Sequence, residues 1–241
     1  MSGGAAPPTL TARGVHVWSV SLAGAVAQRD FGDLLSPEER ERADRLKFER
    51  DRRRFISFRG ILRTILGRYL DVSPAVIEFC YGSSGKPSLG PCGSRHPLRF
   101  NLSHSEDTAL YAVALGREVG VDIERIRTDV QTAELAGQFF SASERRALSS
   151  LAVADRTEAF FRCWTLKEAF IKAHGEGLSL PLEQFDVAFA RGAPVAVIAI
   201  HGDTEDAARW SLREIPVEPR YVAAIAAAGN DWDLWCGEWS A

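Results

Sequence analysis

The chain has 241 residues, 46% of them hydrophobic, which suffices for one large domain or two small ones around a real core. Its net charge of −3 gives no global attraction for nucleic acid or an anionic membrane, and no apolar run reaches the length that spans a bilayer. Cys80, Cys92, Cys163 and Cys236 are scattered, with no C-x-x-C pair and no zinc spacing, so a reduced protein of the cytoplasm is expected.

Residues 1–14, MSGGAAPPTLTARG, lack the charged start and apolar centre of a signal peptide and read as a flexible leader. Val15 to Val20 alternates like a first strand. Ser36-Pro37-Glu38-Glu39 is a helix start: a serine N-cap, a proline in the first turn, and acids at the positive end of the dipole. The helical region that follows breaks near Lys47 to Asp51 and runs to about Tyr69. It is rich in arginine, and no acid accompanies the arginines from Arg52 to Arg68. Most of that face is expected to be solvated, with two or three arginines cradling a polyanionic small molecule.

Val76 to Tyr81 reads as a strand, and Gly82-Ser83-Ser84-Gly85-Lys86-Pro87 as a turn presenting a lysine and several backbone N–H groups. Such a turn can hold phosphate, although it is not a Walker A sequence. A Gly- and Pro-rich loop from Ser88 to Pro97 leads to a strand at Leu98–Leu102, the segment Asn101-Leu102-Ser103-His104-Ser105, and a buried strand at Thr108–Leu115. His104 is open to three readings: catalytic base, anion contact or satisfied turn histidine.

Val119, Val121 and Ile123 alternate with Gly120, Asp122 and Glu124, which puts both carboxylates on one face of a strand. Two such acids stay ionised together in water or around a cation; a solvated strand edge is the plainer alternative. From Arg156 to Ala173 apolar residues recur at helical spacing, and His174-Gly175 supplies a stop. Glu168 and Lys172, four apart, share a face of that helix. With Asp122 and Glu124 the third acid, Glu168, suits a partly hydrated Mg²⁺ that also takes substrate phosphate oxygens. Of 29 basic residues only Lys47, Lys86, Lys167 and Lys172 are lysines, and three of these four fall in the glycine turn or this helix. Helices are expected at Gln131–Phe140 and Ser143–Leu151, and strands at Phe185–Phe189, Val195–His201, Trp210–Glu214, Tyr221–Ala226 and Trp232–Trp239. The fold class is α+β.

Five segments in one order, S-P-E-x-R-x-R, Y-G-x-x-G-K-P, F-N-L-S-H-S, G-V-D-I-E and W-T-L-K-E-A-F-I-K with G-E-G-L-S-L-P-L behind it, span about Ser36 to Phe185. Together they resemble the Sfp-type 4′-phosphopantetheinyl transferases. The resemblance implies a pseudo-twofold pair of similar α+β subdomains, residues 15–116 and 117–241, with coenzyme A between them. It implies transfer of the phosphopantetheine arm of coenzyme A to a serine of an apo acyl or peptidyl carrier protein, with release of 3′,5′-ADP. Mg²⁺ is the implied cofactor, with Mn²⁺ as a substitute.

By motif position, Asp122, Glu124 and Glu168 would hold the metal, and Lys172 would stand near the bridging oxygen. Lys86, Ser103 and His104 would lie near the 3′-phosphate, Arg42 and Arg54 on phosphates, and Ser84, Gly85, Lys86, Pro87 and Asn101 to His104 around the adenosine. Glu168 is the candidate base for the serine hydroxyl. A two-lobed chain can build its cleft as a monomer, and the charge balance gives no expectation of nucleic-acid or membrane partners. By analogy with family members of this length, the carriers would belong to polyketide or peptide synthases. A carrier-docking surface is expected to include part of Thr128 to Arg162, with Phe139, Phe140, Arg145 and Arg146 as candidates, core packing being the commoner role for the two phenylalanines. A non-catalytic coenzyme A sensor and a metal-dependent pyrophosphohydrolase rank below the transferase.

Overall fold

The computed structural model describes residues 7–82, 85–91, 96–175 and 180–240. Ser84, Cys92 and part of the G-E-G-L-S-L-P-L segment lie outside the described residues. The strands in chain order are β1 (Gly14–Ser21), β2 (Phe79–Tyr81), β3 (Pro87–Leu89), β4 (Leu98–Ser105), β5 (Thr108–Leu115), β6 (Val119–Arg125), β7 (Phe185–Ala188), β8 (Ala196–Ile200), β9 (Trp210–Glu214), β10 (Tyr221–Ala228) and β11 (Asp233–Glu238). The α-helices are α1 (Gly24–Gln28), α2 (Pro37–Asp44), α3 (Glu49–Leu70), α4 (Thr132–Phe139), α5 (Ala142–Ser150), α6 (Val153–His174) and α7 (Thr204–Ala207).

Local chemistry sets the helix ends. Ser36 and Ser141 each close a capping box, with Glu39 and Glu144 returning to the cap backbone, so both helix starts satisfy donors that would otherwise be orphaned. Asp71 at φ 54° and Gly175 at φ 87° end the two 22-residue helices in the left-handed region. The expected break between α2 and α3 is present, and α6 begins three residues before the expected Arg156.

Two sheets stack back to back: β11-β1-β5-β4, and β6-β10-β9. Val15, Val17, Leu110, Ala112 and Ala114 of the first meet Val119, Val121, Ile123, Ala223 and Ile225 of the second in one buried cluster. The opposite face of the first sheet, with Trp18, Val20, Phe100 and Tyr111, packs on Phe58, Ile61, Leu62 and Ile65 of α3. The opposite face of the second, with Ala224 and Ala226, packs on Leu166, Ala169, Phe170 and Ala173 of α6. The layers therefore run helix, sheet, sheet, helix, with β1, β5, β6 and β10 burying both faces along most of their length. This is the expected α+β class with one long helix on each half.

Three expectations change. β11 pairs in parallel with β1, from Gly14↔Asp233 to Ser19↔Glu238, so the last strand belongs to the sheet of the first half and not to a self-contained unit 117–241. The strand expected at Val76–Tyr81 shortens to β2, because Pro74–Val76 forms a 3-10 turn; residues 87–89 of the supposed loop pair with β2 as a hairpin. Cys80, in that half-exposed hairpin, is disulfide-bonded, whereas Cys163 and Cys236 are free. A thiol near solvent is open to oxidation in a way that buried Cys163 is not.

Candidate active site

Gly120 decides how close α6 comes to β6. A Cβ there would lie 2.7 Å from the Lys172 carbonyl carbon and closer still to Ala169 O and Ala173 N. The helix backbone thus rests directly on the strand, and the next same-face residue of β6, Asp122, meets side chains from the helix turn above it. Lys172 Nζ stands 2.6 Å from Asp122 Oδ1 and 3.0 Å from Ser103 Oγ, and Ser103 donates to the same carboxylate oxygen at 2.8 Å.

β4 and β6 are edge strands of different sheets, and side chains from alternate positions of β4 stitch them together. Asn101 Oδ1 accepts from Val121 N at 2.9 Å, Ser103 reaches Asp122, and Ser105 Oγ accepts from Arg125 N at 3.1 Å while donating to Glu124 Oε2 at 3.3 Å. This N-x-S-x-S seam orients both acids of the D-I-E segment. Asn101 spends its side-chain oxygen here, inside the seam.

Asp122 is 2% exposed, and its Oδ2 is buried without a hydrogen-bond partner among the described residues. Burial, then the charge of Asp122, pushes the Glu124 carboxyl up to about 7. The same two causes raise Glu168 above the usual carboxylate range, against the pull of Lys172. Three carboxyls and one ammonium thus share a partly dry space with an anionic surplus. The expected three-acid cluster is not closed up as a ready-made metal cage: no group of three or more His, Cys, Asp or Glu among the described residues is so arranged. An orphaned carboxylate oxygen and two protonation-prone neighbours nevertheless fit a hard cation that keeps waters and takes substrate oxygens.

The residues expected on coenzyme A divide between two cavities. Arg42, Arg54 and His104 line one of about 350 Å³, with Phe55, Phe58 and Arg59. The His104 ring stacks on Phe58 at 4.9 Å, and burial first, then Lys172 and Arg54, lower its pKa, so it stands neutral at pH 7. Arg54 is held by Asp107 at 2.8 Å. Lys86 and Pro87 line a second cavity of about 310 Å³, with Arg99, Glu118 and Gly175. Lys86 donates to Val119 O at 3.2 Å and approaches Glu118 at 3.5 Å, and burial lowers its pKa. Gly85 takes φ 75° in the turn before it. A larger cavity of about 550 Å³, between α5, α6 and the β7–β8 hairpin, holds none of the expected site residues.

Lys167 departs from the chemical role its stretch suggested. It is fully buried, donating to both Glu144 oxygens at 2.6 and 2.8 Å and to Phe185 O at 2.6 Å. Glu144 in turn accepts from Ser141 N and Val187 N, so the pair locks α5, α6 and β7 together. Among the docking candidates, Phe140 is 1% exposed and stacks on Phe160 at 5.1 Å, which makes it core; Arg145 and Arg146 are exposed. Sequence reasoning missed Gly120, Ser105, Glu118, Phe58 and Arg59. Only Gly120 carried a signal, as a glycine between two valines in a strand.

The family described as 4′-phosphopantetheinyl transferase, N-terminal, matches residues 27–115, and the 4′-phosphopantetheinyl transferase superfamily matches residues 118–226. The chain is 41% identical over 229 residues to the 4′-phosphopantetheinyl transferase HetI of Nostoc sp., covering 94% of this chain and 93% of the relative. It is 30% identical over 202 residues to the 4′-phosphopantetheinyl transferase Sfp of Bacillus subtilis, covering 84% and 86%. A solved holo-(acyl-carrier-protein) synthase from Bacillus anthracis in complex with CoA aligns over 46% of this chain and 94% of that one, at 16% identity and a TM-score of 0.38. With two relatives matched over most of their length and two family descriptions tiling the chain, this protein is an enzyme that belongs to the 4′-phosphopantetheinyl transferase family.

Proposed function

We propose that the chain moves the 4′-phosphopantetheine arm of coenzyme A onto a serine hydroxyl of an apo carrier protein, with Mg²⁺ held by Asp122, Glu124 and Glu168. The observation that carries this reading is the meeting of Lys172 with Asp122 and Ser103, flanked by two carboxyls of raised pKa. When bound, the ion neutralises pyrophosphate charge and polarises the phosphorus under attack.

The chain's own residues do the rest. The serine oxygen attacks the phosphorus that bears pantetheine, and the bond from that phosphorus to the bridging oxygen breaks. Glu168, partly buried and of raised pKa, is suited to accept the serine proton. Lys172 presents an ammonium where negative charge develops on the departing 3′,5′-ADP. Ser103 and Ser105 hold Asp122 and Glu124 so that no reorientation is needed as charge moves. The two cavities supply cations, Arg42 and Arg54 on one side and Lys86 on the other, for the nucleotide end.

The test is incubation with coenzyme A, Mg²⁺ and an apo carrier domain, followed by intact-mass measurement. A phosphopantetheine mass gain on the carrier with equimolar 3′,5′-ADP is expected, lost with a chelator or with the acceptor serine replaced by alanine. Release of free 4′-phosphopantetheine without any carrier would instead make the chain a hydrolase.

A further inference from the structure

The cavity of about 550 Å³ between α5, α6 and the β7–β8 hairpin takes no part in the transfer chemistry. It follows α6 from Asp155 to Arg162, on the turns before Glu168 and Lys172. Its walls are mostly apolar: Ala147 and Leu151 from α5, Ala159 from α6, and Val187, Phe189 and Ile198 from the hairpin. Alanines on two neighbouring helices leave space that larger side chains would fill. Ile198 stays 51% exposed, an apolar surface with no cover among the described residues.

Most polar side chains in these walls are already committed. Glu144 Oε1 accepts from Lys167 Nζ and Val187 N, and its Oε2 from Lys167 Nζ and Ser141 N, which fills both oxygens. Arg162 forms a two-pronged pair with Glu214 at 2.5 and 2.8 Å. Ser150 Oγ donates to Ala147 O at 2.7 Å, and Ser143 Oγ to Asp186. Asp155 and Glu158 are different. They lie three apart on α6 and so share a face. Asp155 makes no ion pair among the described residues, and Glu158 meets only Arg191, at 4.0 Å, whose side chain is 83% exposed. Two carboxylates against one solvated guanidinium leave negative charge beside an apolar hollow.

We propose that this hollow is a second binding site, separate from the transfer cleft, for a small amphiphilic amine. The apolar body of the ligand lies between α5 and the hairpin, and its ammonium rests on Asp155 and Glu158. The volume is that of a small-molecule site, and the walls reward each methylene taken out of water. Charge then selects among amphiphiles. A carboxylate head would face two acids and find no uncommitted buried donor, because Arg162 is held by Glu214. An ammonium supplies the donors that Asp155 and Glu158 lack.

The probes are octylamine and octanoate, which share a chain and differ in the sign of the head, titrated into the full chain by calorimetry. Octylamine binds at least about fivefold more tightly than octanoate. In the double variant Asp155→Asn/Glu158→Gln the two affinities come within about twofold of each other. Ala147→Trp, at an exposed position of α5, fills the hollow and abolishes octylamine binding, while affinity for coenzyme A stays within about twofold of wild type. Octanoate binding as tightly as octylamine overturns the proposal, as does wild-type binding of neither probe. So does an Ala147→Trp variant that keeps its octylamine affinity. Displacement of octylamine by coenzyme A would put the amine in the transfer cleft and also overturn it. If the double variant does not fold, Glu158→Gln alone decides: an unchanged ratio of the two affinities sinks the assignment.

Discussion

Lys172 Nζ and Asp122 Oδ1 lie 2.6 Å apart, although the residues are 50 positions distant in sequence and sit on different elements. Asp122 is almost fully buried and Lys172 is half-buried, so the contact faces solvent from one side only. An ammonium so placed can swing from the carboxylate to a phosphate oxygen when substrate enters. Lys172→Met is therefore expected to lower kcat by about 100- to 1000-fold, the scale for losing one preorganised donor to a developing negative charge. Lys172→Arg restores little, because a planar fork does not occupy the place of a point charge. Steady-state kinetics beside circular dichroism check this; near-normal turnover in a folded variant would detach Lys172 from the chemistry.

Gly120→Ala is expected to separate α6 from β6. The added methyl overlaps backbone atoms of Ala169, Lys172 and Ala173, which cannot rotate away. Overpacking of this kind costs about 1–3 kcal/mol, and the shift also carries Glu168 and Lys172 off Asp122. Denaturant melts should show the stability loss, and activity should fall further than the lost folded fraction explains. A variant as stable and active as wild type would show that α6 is free to move.

The Glu124 carboxyl, with its pKa pushed up to about 7 by burial and by Asp122, retains much of its proton below that pH in the metal-free chain. A divalent ion needs the carboxylate, so binding must expel that proton. Calorimetric titration with Mg²⁺ in buffers of different ionisation enthalpy at about pH 6 is expected to reveal proton release, which vanishes near pH 8.5. The apparent affinity rises with pH and levels off above about 7. A pH-independent affinity would argue that Glu124 takes no part in holding the ion.

His16 gives the fold its own pH dependence. Its Nδ1 lies 2.8 Å from the Tyr69 hydroxyl, which also receives the Trp18 indole N–H at 2.9 Å. A neutral imidazole with its hydrogen on Nε2 can accept the Tyr69 hydroxyl proton at Nδ1 while the same oxygen receives the indole N–H. Burial lowers the His16 pKa in the fold below the ordinary 6.5. The unfolded chain thus takes up a proton before the folded one does. Stability from this group is complete above about 6.5 and declines as pH falls, by up to about 1.4 kcal/mol per pH unit, until the folded value is reached. Urea melts between about pH 5 and 8 test the slope, and His16→Gln should flatten it.

Sequence period and caps made most elements readable. Ser36 with Glu39 announced α2, strict alternation from Val119 to Glu124 announced β6 and its acid-bearing face, and His174-Gly175 announced the end of α6. What sequence does not carry is tertiary pairing. The arginines from Arg52 to Arg68 have no acid among themselves, yet Glu39 and Asp107 arrive from other elements to hold Arg63 and Arg54. Lys167 and Lys172 are five apart on one helix and end in opposite settings, because Glu144 comes from α5 on one side and Asp122 from β6 on the other. Asn101 and Ser105 are polar residues on a strand, and nothing local says that their partners belong to another sheet.

β11 has a consequence for how this enzyme is made. The first sheet receives its last strand from residues 233–238, so one edge of β1 stays open during synthesis until that distant segment has been made. Nascent chains are therefore open to chaperones and to strand-edge aggregation late into synthesis. Cutting the gene at the junction near residue 116 yields a leading piece whose sheet has an unfilled edge, and a split version regains its shape only when the trailing piece delivers that strand.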